Sequence, residues 1–410
     1  MSSLNLNGIT KIYPSGATAL YDISLEAEDK EFLVIVGGEK CGKTSLLKVI
    51  AGLEEASSGV VSIDGKDVTE VEPKDRDIAM VFRGDTLYPT LNVYDNMAFG
   101  LRMRKAPQVL IDQRVKAAAN ILGLTDILYR KPKVLTAAAR QRVAIGRAIV
   151  REPRLYLFDE PLAGIDENLR RDMLNVIINL QARMQGTFIY ATKNLSEALT
   201  IGTRLVVLKN GLIQQIDTPA NLYDYPANTF VAFYIGSPTI NFIKNVKIVK
   251  EEEGYAAEFN GGKLELPENI VKRFEKIGEY AESGKEIILG IRPEDVKCGG
   301  GEGNLSAKLG KTEESDGVTY AECTLEDGQT VVATLITDKK KSESVSLSVD
   351  ITRLYVFDAE TRLTLLSRDG GYKHTGHKDA DRIPLPYTEE QQIIEKLKPS
   401  KGIPQKKKLR

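Results

Sequence analysis

The first half of the chain alternates short apolar runs with longer stretches of helical periodicity. The run Phe32–Val36 is apolar at every position, which is typical of a strand that a parallel sheet buries on both faces. An apolar pattern of helical spacing follows at Lys43–Ala51, after a glycine-containing turn. Further strands are predicted at Ile78–Phe82, Leu155–Phe158, Thr187–Ala191 and Leu205–Leu208, and further helices at Ala139–Arg151 and Asp166–Arg183. This alternation predicts a mainly parallel α/β sheet.

Two later regions are patterned differently. Between about residues 84 and 150 there is no convincing strand, so we expect a helical insertion between two strands of the sheet. From about residue 240 onward, short strand-like runs are separated by Gly, Asp and Lys, which predicts a small all-β domain. These runs are Ile287–Ile291, Val318–Thr324, Thr330–Ile336, Val345–Val349 and Leu354–Phe357.

The domain organisation that these patterns predict has three parts. Residues 1–235 form the α/β domain with its helical insertion, and residues 236–366 form the β domain. Residues 367–410 are polar and carry 11 Lys/Arg against 6 Asp/Glu, a net charge of +5. We expect this segment to be a solvated, disordered tail, and contact with an anionic lipid surface or a partner is the alternative.

Composition excludes several kinds of chemistry. Among 410 residues there are only two histidines, His374 and His377, so residues 1–373 cannot hold a His-ligated metal or a His-based catalytic pair. The three cysteines, Cys41, Cys298 and Cys323, are too few for a disulfide framework and suit a reducing cytosol. The net charge of −1 gives no reason to expect nucleic-acid binding. No apolar stretch has the length of a signal peptide or membrane span, so a membrane role would require a partner.

A phosphate-binding motif follows the buried strand. The segment fits the pattern G-x-x-x-x-G-K-[ST] and precedes the predicted helix, which is the context that this motif requires. Its residues are Gly37, Gly38, Glu39, Lys40, Cys41, Gly42, Lys43 and Thr44. Glycines allow backbone N–H groups to surround phosphate oxygens, and the helix N-terminus favours negative charge. We expect Lys43 to reach the β- and γ-phosphates and Thr44 to offer its hydroxyl to Mg²⁺; an ordinary glycine-rich turn is the alternative.

Two carboxylates follow another predicted strand. Asp159 and Glu160 come directly after the apolar run Leu155–Phe158. At the carboxyl end of a strand beside a phosphate loop, Asp159 suits the metal shell and Glu160 suits polarisation of the attacking water. Two acids after a strand are weak evidence alone, but together with the phosphate loop they favour a nucleotide site.

At this point the chain closely resembles ATP-binding cassette (ABC) ATPases, and most of all the maltose-type subfamily that drives solute importers. The resemblance covers about residues 3–366. It rests on Tyr13-Pro14, the phosphate loop, Leu87-Tyr88-Pro89, Val93–Asn96, Arg140–Ala148, Phe158–Leu162, Phe230–Phe242 with Ile235–Pro238, and Gly290–Asp295. It implies an ABC ATPase domain of the α/β phosphate-loop NTPase fold, with a helical subdomain, followed by an OB/TOBE-like regulatory β-barrel.

The resemblance also implies roles for particular residues. Tyr13 would stack on the adenine ring, although local packing at a strand end is the alternative, and Ser45 would complete the nucleotide-binding segment. Asp166 would lie at the dimer contact. The segment Leu87–Asn96 would dock a membrane permease subunit. Two such ATPases would pair head to tail, each phosphate loop facing the signature loop of its partner, and a solute-binding protein would complete the transporter.

Three motifs depart from the family pattern. The signature loop Leu-Ser-Gly-Gly-Gln is replaced by Leu135, Thr136, Ala137, Ala138 and Ala139. Thr136 could still offer a hydroxyl to a γ-phosphate across the dimer, whereas the alanines add Cβ atoms and make left-handed backbone costly.

The other two departures exchange neutral side chains for cations. Arg83 occupies the position of the family's glutamine, and Lys193 that of its switch histidine. A neutral imidazole donates and accepts hydrogen bonds, whereas an ammonium only donates, so Lys193 cannot fully replace it. We therefore expect weak hydrolysis despite the retained Glu160; neutral drift with enough residual hydrolysis for transport is the alternative. Because Arg83 and Lys193 add positive charge beside Lys43, we also expect ATP binding with a weakened Mg²⁺ dependence.

The sequence therefore predicts the cytoplasmic ATP-binding subunit of an ABC importer, bound peripherally to the membrane through its permeases and without nucleic-acid contacts. Resemblance alone indicates a sugar or sugar-like solute. A non-hydrolytic regulatory or assembly partner of an active paralogue is the alternative. A soluble ABC protein acting on nucleic acid or ribosomes fits less well, because the C-terminal domain and the segment Leu87–Asn96 resemble those of importers.

Overall fold

A computed structural model describes residues 3–84, 87–299, 303–315, 317–336 and 344–367. The predicted tail, with His374 and His377, lies outside the described residues apart from Ser367. The elements of the first part are β1 (Leu4–Ile12), β2 (Thr18–Ala27), β3 (Phe32–Val36), α1 (Lys43–Ala51), β4 (Ser58–Ile63), β5 (Lys66–Asp67), β6 (Ile78–Val81), α2 (Val93–Met103), α3 (Gln108–Ile121), α4 (Ala137–Ile149), β7 (Leu155–Asp159), α5 (Glu167–Met184), β8 (Thr187–Thr192), α6 (Leu195–Ile201), β9 (Arg204–Lys209), β10 (Leu212–Asp217), α7 (Pro219–Asp224) and α8 (Thr229–Tyr234).

The later elements are mostly strands. They are β11 (Asn241–Glu251), β12 (Gly254–Phe259), β13 (Gly262–Glu265), α9 (Glu268–Arg273), α10 (Ile277–Ser283), β14 (Glu286–Ile291), β15 (Val296–Cys298), β16 (Leu305–Ser315), β17 (Val318–Leu325), β18 (Thr330–Leu335), β19 (Ser344–Val349) and β20 (Tyr355–Asp358). Each strand predicted from the pattern is present, with its ends shifted by no more than one residue. The short helices α9 and α10 were not indicated by that pattern.

The central sheet explains the run of apolar residues in β3. It has six strands in the order β10-β9-β3-β8-β7-β6, all parallel except β10. Leu33 and Ile35 pack on one face, in a core shared with α1 and with the antiparallel sheet β2-β1-β4-β5. Phe32, Val34 and Val36 pack on the opposite face, in a core shared with α2 to α5. A strand covered on both faces has no solvent side, and every position is therefore apolar.

The insertion between β6 and β7 contains the helices α2, α3 and α4 and no strand among its described residues. The later part of the chain contains two β units. One is a five-stranded antiparallel sheet in the order β13-β12-β11-β14-β20, and the other is a closed barrel in the order β15-β18-β17-β16-β19. Both contribute to one apolar core. No helix among the described residues is long and apolar enough to span a bilayer.

The order of the parallel strands brings four loops together. The phosphate loop follows β3, Lys193 follows β8, Glu160 follows β7, and Arg83 lies two residues after β6. Since β3, β8, β7 and β6 are consecutive neighbours, their carboxyl ends lie at one edge of the sheet. Ligands of open α/β sheets bind at this edge.

Candidate functional site

Steric limits shape the phosphate loop. A Cβ atom at Gly37 would lie 2.2 Å from the carbonyl oxygen of Leu208, so no other residue fits without movement of the backbone. Gly42 has a φ of 112°, in the region that favours glycine, and its Cβ would lie 2.6 Å from the carbonyl oxygen of Ala19. Between these glycines the loop curves around Lys43, whose Nζ donates to the carbonyls of Gly37 (2.9 Å) and Gly38 (2.8 Å). Lys43 is buried, with 4% of its surface exposed.

Thr44 and Asp159 meet where α1 begins and β7 ends. The Thr44 hydroxyl donates to Oδ1 of Asp159 at 3.0 Å. Burial raises the pKa of the Asp159 carboxyl, and the hydrogen bond from Thr44 opposes that change. A hydroxyl and a carboxylate side by side are hard oxygen donors of the type that Mg²⁺ prefers. The described residues form no group of three or more His, Cys, Asp or Glu that could hold a metal. These two donors therefore fit an ion that takes its remaining ligands from phosphates and water.

Glu160 is held between two cations. Its φ of 43° places its backbone in the left-handed region, immediately after β7. Its Oε1 lies 3.7 Å from Nζ of Lys43, and its Oε2 lies 3.4 Å from Nη1 of Arg83. Oε2 is buried and accepts no hydrogen bond from the described residues, so the charge of Arg83 is its main compensation. The structure thus brings the predicted Glu160 and Arg83 together.

Lys193 lies over the phosphate loop. Its Nζ donates to Oε1 of Glu39 at 2.6 Å. This hydrogen bond lowers the pKa of the Glu39 carboxyl, and the charges of Lys193, Arg83 and Lys40 add to the effect. The Lys193 side chain is 47% exposed, so water screens this pair.

Tyr13 and Ser45 are tied to each other by hydrogen bonding. The Tyr13 hydroxyl lies 2.9 Å from Oγ of Ser45 and donates to Oε2 of Glu54 at 2.6 Å. Nζ of Lys11 lies 5.2 Å from the centre of the Tyr13 ring. These contacts fix the Tyr13 ring near the start of α1. They leave both the predicted adenine contact and the local-packing alternative open.

The replaced signature loop begins α4. Thr136 is the N-cap residue, and its Oγ1 accepts from the backbone N–H of Ala139 at 3.2 Å. Ala137 and Ala138 are the first residues of the helix, and none of residues 135–139 has a positive φ. The alanines therefore carry no left-handed strain here, because their backbone is helical and helical backbone suits alanine well. Accepting this hydrogen bond leaves the Thr136 hydroxyl hydrogen available to another acceptor.

Asp166 has a similar capping role in this chain. Its side chain accepts from the backbone N–H of Leu169 at 3.1 Å and caps α5. A dimer contact at Asp166 stays a prediction.

Two residues beside Lys193 were not singled out in the sequence. Glu197 is buried, accepts hydrogen bonds from the hydroxyls of Tyr190 (3.0 Å) and Thr192 (2.8 Å), and lies 3.2 Å from Nε of Arg170. This network holds the end of β8, from which Lys193 projects. Tyr234, the last residue of α8, also reaches this edge: its hydroxyl donates to the carbonyl of Lys193 at 3.4 Å. The only available signal for Tyr234 was its place within the segment Phe230–Phe242, which assigned it no role.

The segment Leu87–Asn96 borders a groove between the sheet and the inserted helices. Asn96 is fully buried, and its side chain bonds the backbone of Tyr88, Leu91 and Asn92 at 2.8–3.1 Å, which shapes this segment. The guanidinium of Arg147 lies 4.9 Å from the centre of the Tyr88 ring. A cavity of about 170 Å³ opens nearby, and its lining includes Phe82, Asn96, Phe99, Gly100, Arg147 and Arg151.

The fold and this edge of the sheet define a phosphate-loop nucleotide-binding domain joined to a small β-barrel unit. Residues 20–163 match the family described as "ABC transporter", and residues 236–296 match the "MalK OB fold domain". The oligosaccharides import ATP-binding protein MsmX of Bacillus subtilis is 42% identical over 89% of this chain and 100% of its own length. The trehalose/maltose import ATP-binding protein MalK of Thermococcus litoralis is 41% identical over 88% of this chain and 99% of its own.

A solved structure agrees with the first domain. The cbiO1 protein of Clostridium perfringens, part of the ABC transporter complex cbiONQ, has a TM-score of 0.50 and 25% identity. The similarity covers 54% of this chain and 90% of cbiO1. The chain belongs to the ATP-binding proteins of ABC transporters, and the predicted fold class, an ABC ATPase domain followed by a small OB-type barrel domain, is confirmed.

Proposed function

We propose that this chain is the ATP-binding subunit of an ABC importer for carbohydrates. The observation that carries the proposal is the convergence of Lys43, Thr44, Asp159 and Glu160 at one edge of the sheet. The names of the two relatives, which cover nearly all of this chain, support an import function and an oligosaccharide or disaccharide as the transported solute. Residues 1–235 would form the ATP-binding domain, and residues 236–366 the regulatory domain.

ATP would lie along the phosphate loop from Gly37 to Ser45, with its adenine ring beside Tyr13. Lys43 would exchange its two backbone carbonyl acceptors for phosphate oxygens, which bear more negative charge. Thr44 and Asp159 would hold Mg²⁺, which supplies positive charge to the phosphates when bound. Glu160 would orient and polarise the attacking water.

Weak hydrolysis follows from the partners of Glu160. The Glu160 carboxylate contacts Lys43 and Arg83, and these contacts compete with a hydrogen bond from the attacking water. Lys193 can donate to phosphate but cannot accept from water. In a second copy of the chain, the residues Leu135–Ala139 would face the phosphate across the dimer without the side-chain amide of the family motif.

Permease subunits would dock at the segment Leu87–Asn96. The adjoining groove supports this contact, since it presents the aromatic ring of Phe99 beside the cations Arg147 and Arg151. Such docking would hold the chain at the cytoplasmic face of the membrane, with a solute-binding protein on the opposite side and no contact with nucleic acid.

A regulatory partner of an intact paralogue is the second candidate. The ion pairs Arg83–Glu160 and Lys193–Glu39 favour it, since both altered positions engage an acid of the chain's own site. Either dimer would be unusual. In a homodimer, each site would contain Arg83 and Lys193 from one copy and the altered signature loop from the other. In a heterodimer, one site would contain Arg83 and Lys193, and the other the altered signature loop.

Hydrolysis distinguishes these candidates. Phosphate release should be slow for the chain alone, and the Glu160→Gln variant should lower that slow rate further. Mixing with an intact paralogous ATPase should raise total turnover above that of the paralogue alone if this chain regulates it. A rate typical of intact importer ATPases, abolished by Glu160→Gln, would contradict the proposal of weak hydrolysis.

Titration with ATP tests the binding site itself. We expect saturable ATP binding in the presence of Mg²⁺ and a smaller but measurable affinity in excess chelator, because Arg83 and Lys193 add positive charge near the phosphates. A complete requirement for Mg²⁺ would contradict the weakened dependence. Absence of ATP binding under both conditions would contradict the proposed function.

A further inference from the structure

The hydroxyl of Tyr234 joins two loops of the nucleotide site. It donates to the backbone carbonyl of Lys193 at 3.4 Å, and the nearby backbone N–H of Gly37 lowers its pKa, against the rise that burial causes. Burial raises the pKa of Tyr234 to about 12, so the hydroxyl keeps its proton at neutral pH. One side chain thus lies beside the first glycine of the phosphate loop and contacts the residue that replaces the family's histidine.

The position of Tyr234 is set from the C-terminal part of the chain. Tyr234 is the last residue of α8, and carbonyls at a helix end have no partners within the helix. Nη1 of Arg292 donates to two of them, the carbonyls of Ala232 (2.9 Å) and Ile235 (2.8 Å). Arg292 follows β14, is 1% exposed, and stacks 4.0 Å from the centre of the Tyr223 ring. A buried guanidinium with these acceptors leaves α8 little freedom.

We propose that Tyr234 is a positioning residue for the γ-phosphate side of the site, which it reaches through the backbone of Lys193. This inference rests on the proposed function. Lys193 projects over the phosphate loop, where its ammonium already contacts the anionic side chain of Glu39 at 2.6 Å. By fixing the Lys193 carbonyl relative to Gly37, Tyr234 sets how far that ammonium reaches toward a terminal phosphate. Arg292, in the C-terminal part of the chain, holds α8 and therefore Tyr234 in this position.

The test compares nucleotides with and without a γ-phosphate. Full-length wild-type protein and the Tyr234→Phe variant are titrated with ATP and with ADP, both with Mg²⁺. Loss of the hydroxyl should weaken ATP binding about two- to tenfold, the range for one hydrogen bond, and leave ADP binding within about twofold. Tyr280→Phe is the matched control, because it removes a hydroxyl that donates to Asp358 at 2.5 Å in the C-terminal domain. It should change neither affinity.

A double-mutant cycle tests whether the effect passes through Lys193. In a Lys193→Ala background, Tyr234→Phe should no longer change the ratio of ATP to ADP affinity. An unchanged ratio in Tyr234→Phe, or an equal loss for both nucleotides, would overturn the positioning role while leaving ATP binding intact. Failure of the wild-type protein to bind ATP would instead overturn the proposed function, and this inference with it.

Discussion

The two halves of the candidate site are built in different ways. On one side, Lys43 and Asp159 are 4% and 5% exposed. A Cβ atom at Gly37 or Gly42 in the phosphate loop would clash with a backbone oxygen. On the other side, Arg83 and Lys193 are 61% and 47% exposed and contact acids through ion pairs. Buried contacts with fixed backbone atoms tolerate few alternatives, whereas an ion pair with both partners exposed, such as Lys193–Glu39, exchanges partners at small cost. The positions expected to bind nucleotide are thus held by buried contacts, whereas the two positions that depart from the family pattern carry exposed charges.

The strongest test of the buried side of the site is the Gly37→Ala variant. Its Cβ would lie 2.2 Å from the carbonyl oxygen of Leu208, so the backbone must move, and we expect a loss of about 1–3 kcal/mol or more in the free energy of unfolding. Gly38→Ala is the matched control, because no atom lies within 4 Å of its Cβ and its φ is not positive. Urea denaturation without nucleotide measures both. Equal stability of the two variants would contradict the steric account of this half.

Lys43→Ala should have the next largest effect. It removes a buried cation that is expected to form charge-assisted hydrogen bonds with phosphate, and such bonds contribute about 1.5–3 kcal/mol each. We therefore expect ATP affinity to fall at least ~10-fold in a calorimetric titration. Lys272→Ala removes an exposed lysine that pairs with Glu268 in the C-terminal domain, and should leave the affinity unchanged.

The exposed half can be altered toward the family pattern. Arg83→Gln combined with Lys193→His should free Glu160 from one cation and restore a side chain that can accept a hydrogen bond from water. We expect phosphate release to rise ~10-fold or more, since proton transfer by a positioned side chain contributes at least that much. The charge-retaining pair Arg83→Lys and Lys193→Arg should produce no increase. Equal rates for both double variants would show that these two positions do not limit hydrolysis.

Glu39→Gln should have the smallest effect. Removing the carboxylate frees Lys193 from its partner, so ATP affinity should rise about two- to threefold at low salt. Because salt screens exposed charges, the gain should disappear near 1 M salt. Glu72→Gln, which removes an equally exposed partner of Lys74, should have no effect on ATP affinity. A gain that persists at high salt would indicate a change of loop conformation instead.

The elements expected from the sequence agree best with the structure where one physical rule acts alone. The apolar run of β3 and the motif after it predicted a buried strand, the phosphate loop and α1, because both faces of that strand are covered. The agreement is poorest where the conformation or role of a residue depends on its surroundings. The alanines after Thr136 make left-handed backbone costly, but the sequence did not show that they are helical, because that depends on the N-cap and on where α4 begins. The helices α9 and α10 were missed because they are short.

The sequence alone determined the class of this protein, because strand alternation and glycine spacing follow from local sterics and from burial on two faces. It also identified Arg83 and Lys193 as departures, since each is a single change of side-chain chemistry. Only the tertiary structure decided which groups these cations meet: Glu160 for Arg83 and Glu39 for Lys193. It likewise brought Tyr234 to the phosphate loop, 197 positions after Gly37. Contacts over such separations depend on the order of strands in the sheet, which local pattern does not encode.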